Sequence, residues 1–145
     1  MSVVGKWQGD GTFDSGTSTV TLVGSGAATL ANSGDFYNLT VSRSNWDSSL
    51  QLNSALVVRN NVTFTNCPLG FSANSQAITV GGSLVNSAQT HVSLNLGQGA
   101  VTLNGTGAQT LNLGGADAWN VVVENATGPI TFTGNLTARK LTLPA

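Results

Sequence analysis

Val20-Thr-Leu-Val-Gly-Ser-Gly-Ala-Ala-Thr-Leu30 returns 81 residues on as Val101-Thr-Leu-Asn-Gly-Thr-Gly-Ala-Gln-Thr-Leu111, with eight of eleven positions identical. Within each copy, apolar and polar residues alternate, and a Gly-x-Gly turn separates the two runs. Alternation of period two places the apolar residues on one face of a strand. Glycine supplies the backbone freedom that a sharp corner needs. Similar apolar–polar–apolar triplets recur along the chain: Leu39-Thr-Val41, Leu50-Gln-Leu52, Val62-Thr-Phe64, Ile78-Thr-Val80 and Ile130-Thr-Phe132.

Triplets this short are not stable as an isolated meander. Piled one coil on another, they bury a continuous column of Val, Leu and Ile, and leave rows of Thr outside. The spacing therefore predicts an all-β solenoid (β-helix) of stacked short strands. A β-sandwich is the alternative, but it wants longer strands and does not predict a close internal repeat.

The match extends beyond the first stretch. Tyr37-Asn-Leu-Thr-Val41 aligns with Trp119-Asn-Val-Val-Val123, Leu56-Val-Val-Arg59 with Leu136-Thr-Ala-Arg139, and Val62-Thr-Phe64 with Leu141-Thr-Leu143. The chain reads as a single repeat domain, 1–145. One unit covers about 12–66 and a second about 93–145, with further coils over about 67–92.

Composition excludes several classes of function. Of the 145 residues 8% are charged and the net charge is −1, against roughly a quarter charged in ordinary soluble domains. The five basic residues are Lys6, Arg43, Arg59, Arg139 and Lys140, with only the last two adjacent. That spacing does not make the clustered patch that nucleic acid requires. No apolar run reaches membrane length. Met1-Ser-Val-Val-Gly-Lys6 lacks the hydrophobic core of a secretory signal, which fits a virion protein, a mature form or an excised domain.

Gly11-Thr-Phe-Asp-Ser-Gly-Thr-Ser-Thr-Val-Thr-Leu-Val-Gly-Ser-Gly26, followed by Phe36-Tyr-Asn-Leu-Thr-Val41, resembles a repeat widespread in bacterial surface proteins. Asn61-Val-Thr-Phe64 and Gly134-Asn-Leu-Thr137 resemble its later part. The likeness covers most of the chain. It is similar to filamentous-haemagglutinin-like and adhesin solenoids, and to β-helical phage decoration and tail proteins. The resemblance implies a structural or adhesive role on a virion or an extracellular surface.

Catalytic signals are sparse, and no enzyme, cofactor or metal site is expected. Phe13-Asp14-Ser15-Gly16-Thr17 looks like an aspartic-protease signature, but that chemistry needs two carboxylates sharing a proton, and the matching region before Val101 has no Asp. Asp35 and Asp117 fall at near-equivalent repeat positions, as a repeated turn residue would. His91 is the sole histidine, and one imidazole does not make a zinc cluster. Cys67 is the sole cysteine and reads as a small, half-buried turn residue. The Asn-x-Thr triplets at Asn38, Asn61, Asn104, Asn125 and Asn135 read as turn and strand residues.

Tryptophans remain as candidates for contact. Trp46, with Asn45 beside it in the polar loop Ser44-Asn-Trp-Asp47, is the leading ligand or partner contact, with glycans among the ligands considered. Trp7 is a second candidate, and residues 1–11 are a candidate cap. Trp119 aligns with Tyr37 and reads as a core or edge residue. An uncapped solenoid end pairs with other chains, so self-association or docking onto a larger assembly, a capsid or filament, is expected.

Overall fold

The computed structural model describes residues 1–9, 13–31, 34–68, 70–87, 94–125 and 127–144. It is a β-solenoid of about six turns, with no helix among the described residues. The chain winds round three walls. Wall I carries β1 (Ser2–Val4), β3 (Thr19–Val23), β5 (Asn38–Ser42), β8 (Val62–Asn66), β11 (Leu84–Asn86), β14 (Gln109–Asn112) and β16 (Ile130–Phe132). Wall II carries β2 (Trp7–Gln8), β4 (Ala27–Ala31), β6 (Ser49–Leu52), β9 (Gly70–Ser72) and β12 (Leu94–Asn95). Wall III carries β7 (Leu56–Val58), β10 (Ile78–Val80), β13 (Ala100–Leu103), β15 (Asp117–Val123) and β17 (Thr137–Thr142). Neighbouring strands pair in parallel, each with the coil above or below. The two-sheet sandwich is thereby excluded.

Register turns the alternation into columns. On wall I, Val20, Leu39, Val62, Leu84, Leu111 and Phe132 stack in line. On wall III, Leu56, Ile78, Val101, Val121 and Leu141 do the same. Ala28, Leu50, Phe71 and Leu94 form the matching column of wall II. Apart from the outermost residues, these side chains are almost wholly buried and belong to one continuous core. Burying a Val or Leu is worth roughly 1.5–3 kcal/mol, so the columns hold the rod together along its length.

Corners absorb variation in length. Successive residues of the wall I column lie 19, 23, 22, 27 and 21 residues apart, yet each stays paired with the next. The corner from wall III to wall I packs backbone against backbone. Gly81 packs against the Arg59 carbonyl, and Gly105 against the Gly81 carbonyl. A Cβ at either glycine collides with backbone. A polar ladder runs beside this corner. The side-chain oxygen of Asn38 accepts from the Asn61 N–H (3.2 Å), that of Asn61 from the Ser83 N–H (2.8 Å), and that of Ser83 from the Thr110 N–H (2.9 Å). Two of the Asn-x-Thr asparagines thus serve to clip one coil to the next.

The internal repeat and the coil are out of step. Val20 stands on wall I, but Val101, its counterpart, stands on wall III. Ala28 on wall II likewise matches Gln109 on wall I. Each unit still does the same thing. Val20 pairs with Leu39, which pairs with Val62; Val101 pairs with Val121, which pairs with Leu141. The second unit repeats the first, two walls further round the axis.

Gly105→Ala should lower the free energy of unfolding by about 2 kcal/mol, as overpacking against fixed backbone does. Gly107, whose Cβ direction is open, supplies the control, and Gly107→Ala should stay within about 0.5 kcal/mol. Equilibrium denaturation of both variants checks the contrast. Equal effects at the two sites are incompatible with a packed glycine corner.

Candidate functional site

Trp46 sits on the corner from wall I to wall II, and 82% of its surface is exposed. The turn beneath it is fixed. The Ser48 N–H donates to the Asn45 carbonyl (2.9 Å), and the Asn45 N–H donates to Ser48 Oγ (3.2 Å). Asp47 Oδ1 accepts from the Gly26 N–H at 3.4 Å, tying the turn to the previous coil. Asn45 is exposed beside Trp46. A large apolar ring is thus presented to solvent on a braced support, which lowers the ordering cost of any contact it makes.

The brace is Arg43, which is wholly buried. It continues the inward series of β5: Leu39, Val41, Arg43. Its guanidinium donates to the carbonyls of Val23 (3.1 Å), Ser25 (2.9 Å) and Gly26 (2.8 Å). No carboxylate answers it among the described ion pairs, and its Nε is unpartnered. Carbonyl oxygens stand in for water around the charge, a geometry that the planar guanidinium fork suits. A register shift between Val41 and Ser42 sets Ser42 beside Asn66 and turns Cys67 inward at this corner. The Cys67 thiol donates to the Gly70 carbonyl at 3.1 Å. Burial raises its pKa, partly offset by the charge of Arg43.

Trp7 lies elsewhere and is half-buried. Its ring meets Phe13 edge-on at a centroid distance of 4.9 Å and Phe36 at 5.3 Å. These three rings close the core near its N-terminal end, so Trp7 is mainly a packing residue.

Trp119 occupies the far end. The Arg139 guanidinium lies 4.1 Å from its ring centroid, within cation–π range. Asp117, Trp119 and Arg139 line a surface crevice of about 810 Å³ where wall II ends. The matching positions of the first unit, Asp35 and Arg59, form a half-exposed ion pair at 3.8 Å. Such a pair contributes little stability.

The carboxylates do not converge. Strands β7, β10 and β13 separate Asp35 from Asp117 along wall III. Asp14 Oδ1 accepts from the Gly16 N–H at 2.9 Å and closes a turn. Among the described residues no three His, Cys, Asp or Glu side chains come together. His91 and Asp10 lie outside the described residues. Comparison with protein-family models, with curated proteins and with solved structures finds no match.

Two outcomes follow for the Trp46 corner. Arg43→Ala should cost about 3 kcal/mol of stability, because three corner carbonyls lose their donors and a cavity opens. Trp46→Ala should change stability by less than about 0.5 kcal/mol. Chemical denaturation reads both, and a neutral Arg43→Ala refutes the brace.

For Cys67 the sign is fixed by its raised pKa. The neutral thiol belongs to the folded state, so its contribution is full below the unfolded pKa and falls as pH rises through the folded one. Wild-type stability should therefore drop between about pH 8 and pH 10 by more than that of Cys67→Ala. A thiol reagent should react at neutral pH only as fast as the chain opens. Parallel pH profiles for the two proteins indicate a thiol whose pKa is unshifted.

Proposed function

We propose that this chain is a non-enzymatic structural protein, a rigid β-solenoid module of a virion (capsid decoration or fibre) or of a bacterial cell surface. It acts through contact, by self-association or by docking onto a larger assembly. The observation that carries the reading is the outermost coil at the β16–β17 end. Phe132 is 37% exposed and Leu141 46% exposed. Each stands directly in register with a buried neighbour, Leu111 and Val121. Leu143 is more exposed still. Among the described residues, two columns of the core therefore run to the face of this coil, where β16 and β17 are the end strands of their walls. Such a face is a template for further β-stacking. Trp46, braced by its corner, offers a lateral anchor of the kind that dominates protein contacts.

A surface of Thr, Ser and Asn with few charges suits a rod that depends on backbone ladders more than on ion pairs. The resemblance of the Gly11–Gly26 and Phe36–Val41 strings to surface and phage solenoid repeats supports the same setting. The second reading is an adhesin or carbohydrate-binding module, favoured by the exposed Trp46. Loss of glycan binding in Trp46→Ala would support it.

Sedimentation across about 1 μM to 1 mM protein tests the structural reading. The wild-type chain should associate with rising concentration, and Phe132→Asp/Leu141→Asp should remain monomeric with its fold intact by circular dichroism. A wild-type chain that stays monomeric throughout, or a double variant that associates equally well, overturns stacking through this face.

A further inference from the structure

The crevice at the end of wall II differs from its counterpart in the first unit in one informative way. Asp35 and Arg59 neutralise each other across adjacent coils. Asp117 and Arg139 hold the equivalent places, yet they form no ion pair among the described residues. Arg139 lies over Trp119 instead. The exchange of Tyr37 for Trp119 supplies the larger ring that holds it. Asp117 is exposed beside them.

Their surroundings have a definite chemistry. Wall II stops at β12, two coils short of the end of wall I, and the crevice opens beyond its last strand. Leu94, at 5% exposure, forms part of the floor. Asn95, Asp117, Thr137 and Arg139 line it together with the half-exposed Trp119 ring. The lining carries one negative and one positive side chain, so it has no net charge to attract a phosphate or an acidic polymer. The apolar floor and the part of the Trp119 ring that Arg139 leaves uncovered take the C–H face of a ligand. A carboxylate, an amide, a hydroxyl and a guanidinium edge then satisfy hydroxyl groups as acceptors and donors. A volume of about 810 Å³ lies in the range of small-ligand sites.

We infer that this crevice is a binding site for a short neutral oligosaccharide, with Trp119 as the platform and Asp117, Asn95 and Arg139 as the hydroxyl-pairing groups. The site shares β17 with the coil proposed for stacking, through Thr137 and Arg139, but its test reads sugar binding and not association. It refines the carbohydrate reading by moving recognition from Trp46 to Trp119.

The test uses the full chain labelled with ¹⁵N, with the three indole N–H signals assigned by single Trp→Phe variants. Chitotriose, cellotriose, maltotriose and linear mannotriose are titrated separately. At least one should shift the Trp119 indole signal while that of Trp46 stays still. Trp119→Ala and Asp117→Asn should each weaken that binding by about tenfold or more, and Trp46→Ala should leave it unchanged. Asp117 is exposed, so Asp117→Asn serves as the binding variant if Trp119→Ala does not fold. The site is refuted if no trisaccharide moves the Trp119 signal up to about 20 mM. It is refuted equally if a folded Trp119→Ala or Asp117→Asn protein binds as the wild type does, or if only sialyllactose, an anionic probe, binds. A sugar that shifts Trp46 alone removes this site and leaves the carbohydrate reading standing.

Discussion

In-register parallel pairing is the constraint on which everything else in this molecule rests. A strand of three residues has almost no stability alone. Here each inner strand is hydrogen-bonded on both sides, and its inward residues meet identical or similar residues above and below. Leu39 is held between Val20 and Val62, and Val101 between Ile78 and Val121. A slip of one residue would turn every inward side chain out. The alternation is therefore enforced coil by coil. Variation is left to the corners, where turn lengths differ without disturbing the columns.

The same constraint explains where polar groups are buried. The corners leave carbonyls pointing inward with no strand to pair them, and an unpaired buried carbonyl is costly. Arg43 meets this need with three donated bonds. Asn125 meets it further along, donating to the Gly107 carbonyl at 2.7 Å and to Gln109 Oε1 at 2.9 Å. Gln109 in turn donates to the Val80 carbonyl at 3.0 Å. These residues convert a stack of strands into a rod with fixed edges. Trp46 inherits its steadiness from one of them.

Much of the architecture was legible in the sequence. The apolar–polar–apolar triplets and Gly-x-Gly turns led directly to stacked coils, because period-two alternation and turn chemistry are local signals. What escaped were properties of the third dimension. In the sequence Arg43 stands out only as one of five scattered basic residues, although Leu39, Val41 and Arg43 keep the inward beat. The same beat marks Gln109 before Leu111 and Asn125 after Val123, so the signal was present but hidden by the usual expectation that such residues face water. Trp7 appeared as a possible contact; its burial depends on Phe13 and Phe36, a neighbourhood created by winding. The crevice beside Trp119 was not legible, since it arises where wall II stops and two other walls continue. Its polar set could have been suspected from the alignment of Asp35 and Arg59 with Asp117 and Arg139.

The mismatch between the internal repeat and the turn of the coil has a geometric consequence. Adding one unit advances the chain by a whole number of turns plus two walls. A longer array built from such units would display its corresponding corners as a spiral staircase and not as a single file. Three units would bring the pattern back to its starting azimuth. Any partner that recognises one unit would then be distributed around the shaft, so neighbouring partners would point in different directions and avoid crowding one another.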